Sequence, residues 1–208
     1  IMYGYGTQDN YQRIIVNGQQ KYSIGVRELG VLSILKKWTV TSGLEEGNGK
    51  INHIRIVRRG YEISYYLNDN HCFTQMVRPI LGDKIGIVIY GEHAVKVDYF
   101  KMRYIDDSVV IPGEKKRDNQ TITAVLVEDF ADNQNQWYTA ELEIGNLYVQ
   151  DGHYHLDMIN SQQSAVLDFG LDLDLGRDFE MRALFQKKEK MSEDRGYGIS
   201  WGRADDNN

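Results

Sequence analysis

Apolar and polar residues alternate along much of this chain, and turn residues interrupt the alternation at short intervals. The clearest case is the segment 51–68, in which two alternating arms flank Arg59-Gly60; it predicts a β-hairpin with one buried face. Asn17-Gly18 and Asp151-Gly152 are favoured hairpin dipeptides and predict two further hairpins. Helical periodicity is almost absent. Short, regularly spaced strands of this kind predict an all-β fold, an antiparallel jelly-roll sandwich.

The predicted strands span residues 11–16, 21–26, 31–35, 51–58, 61–68, 71–77, 84–90, 95–104, 122–130, 146–150, 153–158, 164–169, 178–186 and 197–203. Residues 107–121 break the alternation, because they contain Pro112-Gly113 and a run of charged side chains. We expect a linker there, or a long surface loop.

The end of the chain resembles its beginning. If Ile199 is aligned with Ile1, then Trp201 meets Tyr3 and Gly202 meets Gly4, at an offset of about 198 residues, which is the size of one domain. We therefore expect the chain to hold one full repeat of a tandem array. Its first and last residues would then belong to the same strand-turn element in two successive repeats. In a single closed sandwich, the segments 1–6 and 199–204 would compete for one position.

Composition and charge narrow the function classes. The net charge of −6 gives no indication of binding to nucleic acid or to anionic lipid. No apolar run reaches membrane-spanning length, so we predict no membrane insertion. The single cysteine, Cys72, excludes an internal disulfide and a cysteine-rich metal site. The cellular compartment is left open between the cell surface and the cytoplasm.

Several short motifs recur in an order that is typical of one family. In the second half these are Glu128-Asp129-Phe130 with Trp137, Asp151-Gly152-His153-Tyr154, Asp178-Phe179-Glu180, and Gly196-Tyr197-Gly198. In the first half they are Tyr22-Ser23-Ile24-Gly25, Gly82-Asp83-Lys84-Ile85-Gly86 and Val97-Asp98. Together they resemble the concanavalin A-like lectin/glucanase sandwich modules, of laminin G-like type, in bacterial multidomain proteins.

The order of the motifs is rotated relative to that family. Residues 1–106 resemble the C-terminal half of one module, residues 107–121 would be the linker, and residues 122–208 resemble the N-terminal half of the following module. The two halves together make one sandwich equivalent. We favour closure within one chain as a circularly permuted sandwich; the alternative is a domain-swapped homodimer.

The sequence gives little support for catalysis. No histidine lies in the context of a nucleophile, and Cys72 is best explained as a small buried residue. Glycosidases of the family carry Glu-x-Asp-x-x-Glu on one strand, whereas the nearest approach here is Glu141-Leu142-Glu143 in a predicted loop. We therefore predict a non-enzyme. The alternatives are a glycoside-hydrolase-like enzyme with carboxylates from separated strands, and a purely structural or oligomerisation module.

The sequence contains two candidate metal sites. Glu128, Asp129 and Asp132 cluster at a strand end, and Asp98 on a neighbouring strand would supply a fourth oxygen ligand for a structural calcium ion. The alternative is that these side chains cap backbone donors in a turn. His153 and His155 share one strand face, but a solvated face is favoured over a zinc site.

The resemblance implies a recognition or spacer module that binds a carbohydrate or a protein partner. Sugar binding requires exposed aromatic side chains with planar polar neighbours. The ligand-binding candidates are Tyr3, Tyr11, Arg13, Tyr22, Tyr65 and Trp201. Trp38 and Trp137 are assigned to the hydrophobic core.

Overall fold

The computed structural model describes residues 10–78, 82–105, 122–159, 164–169, 173–188 and 195–203. Within these ranges the chain forms fifteen strands and no helix. The strands are β1 (Tyr11–Val16), β2 (Lys21–Glu28), β3 (Val31–Val40), β4 (Ile51–Arg59), β5 (Glu62–Leu67), β6 (Asn70–Met76), β7 (Lys84–Tyr90), β8 (Ala94–Ile105), β9 (Ile122–Glu128), β10 (Ala140–Leu142), β11 (Gly145–Gln150), β12 (His153–Met158), β13 (Ser164–Phe169), β14 (Phe179–Lys187) and β15 (Tyr197–Arg203). Accordingly, no helix in the described ranges has the length and apolar character needed to cross a membrane.

The strands build two antiparallel sheets. The smaller sheet has six strands in the order β13-β7-β15-β1-β2-β3. The larger sheet has nine strands; its path is β10-β11-β12-β8-β14-β4-β5-β6, and β9 also pairs with β8. Strand β8 is long enough to pair first with β12 and then with β9. The prediction of an all-β fold with two packed antiparallel sheets is confirmed.

Strands from both halves of the sequence alternate in both sheets. In the smaller sheet, β15 lies between β7 and β1. In the larger sheet, β14 lies between β8 and β4. Strands β7 and β1 are therefore joined only through β15, and strands β8 and β4 only through β14. Both connecting strands follow residue 121. The predicted linker 107–121 and the first copy of the matched ends, residues 1–6, lie outside the described residues.

The core fills the space between the sheets. Strand β15 contributes Tyr197, Ile199 and Trp201, and all three are buried. Strand β14 faces them with a run of buried apolar residues at every second position, Phe179, Met181, Ala183 and Phe185. This is the period-two pattern that the sequence predicted for a strand with one buried face. Trp137 is buried in the same core, as predicted.

Two elements differ from the prediction. Residues 31–40 form one continuous edge strand, β3, because a register irregularity against β2 absorbs the break in the hydrophobic pattern near Lys36. The short strand β10 includes Glu141 and Leu142, which were predicted to lie in a loop. Only three residues pair there, so the segment is too short to show an alternating pattern.

Strand β15 packs closely against β1 at Gly198. A Cβ atom at this position would overlap the backbone carbonyl of Ile14 on the neighbouring strand. We expect Gly198→Ala to lower the free energy of unfolding by about 1–3 kcal/mol, because backbone atoms must shift to make room. Denaturant unfolding measures the effect. In the control Gly25→Ala, the closest atom is the end of the Leu32 side chain at 3.3 Å; equal losses in both variants would contradict the prediction.

Candidate functional site

The outer face of the smaller sheet carries a cavity of about 360 Å³. Its lining comes from three neighbouring strands, from Tyr90 and from Arg195. The lining residues are Arg13, Ile15, Ser23, Ile34, Lys37, Trp38, Tyr90 and Arg195. The volume lies within the range of small-molecule pockets in proteins.

Small residues on the central strands explain why this face is hollow. Arg13 of β1 lies directly between Gly25 of β2 and Ser200 of β15. Ile15 lies between Ser23 and Gly198 in the next row. Because the neighbours of these two β1 residues carry little or no side chain, space remains above the sheet. Strand β3 closes one side of this space, since Trp38 Cη2 lies 3.1 Å from the position of a Cβ atom on Gly196.

Aromatic and cationic groups converge at the cavity. The Arg13 guanidinium carbon lies 4.4 Å from the centre of the Tyr90 ring, which is a cation–π distance. The Tyr90 and Tyr11 hydroxyl oxygens are 3.4 Å apart. Burial raises the pKa of Tyr90, although the Arg13 charge acts in the opposite direction. The Tyr90 hydroxyl therefore stays protonated at neutral pH and can donate a hydrogen bond.

The charge of the cavity is positive. Arg13, Lys37 and Arg195 contribute to the lining, and no Asp, Glu or His is among the lining residues that the structure describes. Arg13 itself is largely buried, at 9% exposure. On the same face, the Ser200 hydroxyl is buried and has no hydrogen-bond partner within the described part of the chain. The site thus offers several polar donors beside aromatic surface.

The structure separates the six predicted ligand-binding residues. Tyr11 and Arg13 lie together on the outer face of the smaller sheet, whereas Tyr3 lies outside the described residues. Tyr22, Tyr65 and Trp201 are instead buried between the sheets. Their strand positions point inward, and the Tyr22 hydroxyl donates to the Cys72 carbonyl at 2.9 Å. These three are therefore core residues in this fold and lie apart from the cavity.

Trp38 is the cavity residue that the sequence assignment misplaced. It packs against a small apolar cluster on the outer face of the smaller sheet, formed by Ile15, Val88 and Val166. It does not lie in the core between the sheets. A signal was present in residues 196–202, where Gly or Ser alternates with a large apolar residue. That pattern places the small residues on one face and so predicts a depression there.

The predicted calcium ligands do not converge. Among the described residues, no group of three or more His, Cys, Asp or Glu side chains could hold a metal ion. Asp98 faces His153, with 3.4 Å between Oδ1 and Nε2. Asp129 accepts a hydrogen bond from the Ala131 amide at 3.1 Å. Asp132 accepts one from the Gln134 amide at 2.9 Å. For Asp129 and Asp132, the alternative in which the side chains cap turns describes the structure.

Glu128 has a structural role in the same segment. Its carboxylate is buried and accepts hydrogen bonds from the Phe130 amide at 2.7 Å and the Asn135 side chain at 2.7 Å. It also accepts one from Trp137 Nε1 at 2.8 Å. These three donors occupy both carboxylate oxygens of Glu128. The charged carboxylate holds the loop that follows β9 against the core.

We expect Glu128→Gln to destabilise the protein, because an amide nitrogen would then face an N–H donor. The loss should be about 1–3 kcal/mol, as for other buried polar groups left without a partner. Thermal and denaturant unfolding measure it. Asp129→Asn at the neighbouring exposed position is the control and should have little effect. A Glu128→Gln protein as stable as the control would contradict the capping role.

Cys72 lies on β6, whereas His153 and His155 lie on β12. Burial raises the pKa of the Cys72 thiol to about 12, so it is protonated at neutral pH. His153 and His155 lie on the same face of β12, as predicted, with ring centres 6.1 Å apart. The His155 ring stacks on Tyr148 at 4.5 Å. Lys188 Nζ lies 3.3 Å from His155 Nδ1 and 2.8 Å from both Asp157 oxygens.

The environment of His155 makes stability depend on pH. Burial and the charges of Lys188 and Lys96 lower its pKa, and they outweigh the Gln150 hydrogen bond and Asp157, which act in the opposite direction. The unfolded state therefore binds the proton more readily than the folded state. Stability from this group is complete above about pH 6.5, the ordinary pKa, and is lost as the pH falls below it.

We expect His155→Gln to flatten the decline in unfolding free energy between about pH 7 and pH 5. Urea unfolding at several pH values measures the slope. His71→Gln, at an exposed position on β6, serves as the control and should keep the wild-type slope. An unchanged slope in His155→Gln would show that the proton uptake lies elsewhere.

Comparison with known proteins adds no assignment. No known protein-family model matches this chain, and no curated protein sequence matches it.

Proposed function

We propose that this chain is a non-catalytic recognition module that binds a carbohydrate in the cavity on the outer face of the smaller sheet. The observation that carries this proposal is the convergence of Trp38, Tyr90 and Arg13 around a hollow of about 360 Å³. An aromatic wall suits the apolar face of a sugar ring, and the guanidinium and hydroxyl groups suit its hydroxyls. Among the residues that the structure describes, the lining supplies aromatic surface and hydrogen-bond donors, as sugar binding requires.

The geometry of the buried carboxylates supports the non-enzyme reading. A glycosidase needs two carboxyl groups that face one substrate cleft. Glu128 is occupied by three hydrogen bonds from its own loop. Glu180 is occupied by arginine side chains, among them Arg182 at 2.6 Å. Neither carboxylate lines the smaller-sheet cavity. Glu141 and Asp157 do line one cavity, at strands β10 to β12 of the larger sheet, and a glycoside-hydrolase-like activity there is the alternative to our proposal.

We also propose the finer fold assignment, a concanavalin A-like sandwich with permuted strand order. Its support is the insertion of β14 and β15 between strands of the first segment, since such interleaving follows if both halves derive from one module. A domain-swapped homodimer would use the same strand pairs between two chains. In either arrangement, we propose that the chain acts within a larger repeat-containing protein.

A protein ligand is a second candidate, favoured by the edge strand β3. This strand is ten residues long, and the smaller sheet ends with it. Large apolar residues on this strand and on the turn before it are exposed to solvent, namely Leu29, Val31, Leu32, Ile34 and Val40. An extended segment of a partner protein could add a strand there. A partner-only function would leave the cavity without a ligand.

Removal of Trp38 tests the carbohydrate proposal. A glycan array with the whole chain identifies a binding sugar, and calorimetry then measures its affinity. We expect Trp38→Ala to weaken binding at least about tenfold, as for an aromatic residue at the centre of a contact. Tyr61→Ala removes an exposed aromatic residue from the turn between β4 and β5 and should bind as the wild type does. The melting temperature and circular dichroism show whether both variants are folded.

Two outcomes would contradict the proposal. One is an array without any bound glycan, which would favour the protein-ligand or the structural alternative. The other is equal affinity of the wild-type and Trp38→Ala proteins for the bound glycan, which would place its site elsewhere. Size-exclusion chromatography with light scattering then distinguishes a structural role through a persistent dimer.

A further inference from the structure

The outer face of the larger sheet carries like charges on three neighbouring central strands. Arg182 of β14 lies directly opposite Arg55 of β4 and directly opposite Lys101 of β8. Like charges that face each other across a strand pair destabilise a sheet. A row of three cations is therefore unfavourable for folding, and it occurs in a chain with a net charge of −6.

The nearby carboxylates neutralise this row only in part. Glu180 lies one row away and is 3% exposed. It accepts hydrogen bonds from Arg103, and from Arg182 Nη2 at 2.6 Å, while Arg55 Nη1 lies 3.6 Å away. Asp69 forms an ion pair with Arg55 Nε at 3.4 Å. Three arginines thus share two carboxylates, and with Lys101 the described residues of this face carry an excess of positive charge.

Lys101 carries much of this excess. It forms no ion pair with any residue that the structure describes, and its ammonium group lies 4.5 Å from the centre of the Tyr99 ring. The Arg182 Nε atom is buried and likewise has no hydrogen-bond acceptor among the described residues. Both groups could donate hydrogen bonds to an anion without breaking an ion pair or a hydrogen bond to a described residue.

A cavity lies beside these donors, along strand β9. Its volume is about 240 Å³. Lys101, Arg103 and Arg182 line one side of it together with Glu180, and Ala124, Leu126 and Val127 form an apolar side. The three cations lie on the paired central strands β8 and β14, so the sheet fixes their backbone positions before any ligand binds. Such preorganisation favours binding of a group with the opposite charge.

We propose that this cavity binds one small oxyanion group, a sulfate, a phosphate or a carboxylate. Guanidinium groups donate parallel hydrogen bonds to all three, and Lys101 adds a mobile positive charge. The three cations that line the cavity lie on two neighbouring strands, β8 and β14, whose spacing is about 5 Å. This length suits one anionic group, whether free or attached to a sugar, and is short for the backbone of a nucleic acid.

If this cavity binds an anion, the Lys101 charge should favour binding but should not stabilise the empty protein. In the empty protein, Lys101 and Arg55 repel Arg182, so removal of the exposed Lys101 charge should leave the melting temperature unchanged or raise it. In the presence of the anion, the same change removes a donor and lowers affinity. A purely structural role for the row predicts the opposite effect on the empty protein, because a stabilising residue would be lost.

Sodium sulfate, sodium phosphate and sodium glucuronate serve as probes, each at constant ionic strength with sodium chloride. Calorimetry measures affinity, and NMR follows the Nε–H signals of the arginines. We expect saturable binding of at least one anion and a shift of the Arg182 Nε–H signal. Lys101→Gln should weaken binding about tenfold, the value of one charge-assisted hydrogen bond. Lys101→Arg should restore most of it.

Lys96→Gln is the matched control, because it removes the same charge from the same strand five residues away. Saturable binding that Lys101→Gln weakens and Lys96→Gln retains supports the site. Preference for sulfate or phosphate indicates a tetrahedral group, and preference for glucuronate indicates a carboxylate. Trp38→Ala should bind the anion normally. A negative result for carbohydrate binding in the smaller-sheet cavity would therefore not contradict the anion site on the larger sheet, and the reverse also holds.

Three results would overturn the proposal. The first is no saturable binding of any probe below roughly 10 mM, where affinity is too weak for a built site. The second is an equal loss in Lys101→Gln and Lys96→Gln, which would indicate general attraction of anions. The third is binding of a duplex oligonucleotide more tightly than any small anion, which would indicate a nucleic-acid surface.

Discussion

The pairing of strand β15 with β7 and β1 is the constraint on which the rest of this structure depends. This strand lies within the smaller sheet and joins strands that are far apart in the sequence. Its inward positions carry Tyr197, Ile199 and Trp201, which fill the core. Its outward positions carry Gly198 and Ser200. One strand therefore supplies bulk to the interior and leaves space on the exterior, because successive side chains point to opposite faces.

The two outer faces of the sandwich then acquire different chemistry from the same principle. On the smaller sheet, small residues in the central rows leave a hollow, and the hollow collects Trp38, Tyr90 and Arg13. On the larger sheet, the central rows carry long cationic side chains, and Arg182 is held between Arg55 and Lys101. The first arrangement combines aromatic surface with cationic donors and suits a sugar ring, whereas the second suits a compact negative group. A ligand that carries both features, such as an acidic saccharide, could use either face.

Charged groups in this protein fall into two classes. Glu128 and Glu180 are buried, and each is matched by several donors from its own surroundings. These pairs fix local geometry, because an unmatched buried charge would be costly. Lys101, in contrast, is exposed and lacks a carboxylate partner among the described residues. Departures from local electrostatic balance of this kind are expected at functional positions rather than in the framework.

The sequence by itself determined the class of fold and most of the strands. Alternation and turn dipeptides are local properties, so the hairpin of β4 and β5 and the strands β1, β7, β12 and β13 were predictable within one or two residues. Tyr11 and Arg13 were among the ligand-binding candidates, and both lie on the outer face of the smaller sheet. The alternation also showed that His153 and His155 share a face, although it did not show which partners they meet.

Only the tertiary structure decided which faces turn outward and which strands become neighbours. Alternation gives two faces but does not say which one is buried, so Tyr22, Tyr65 and Trp201 were expected at a surface and lie in the core, whereas Trp38 lies outside it. The row of Arg55, Arg182 and Lys101 depends on pairing between strands more than 70 residues apart in the sequence. Local patterns contain no information on such register, because it is set by how the complete sheets pack.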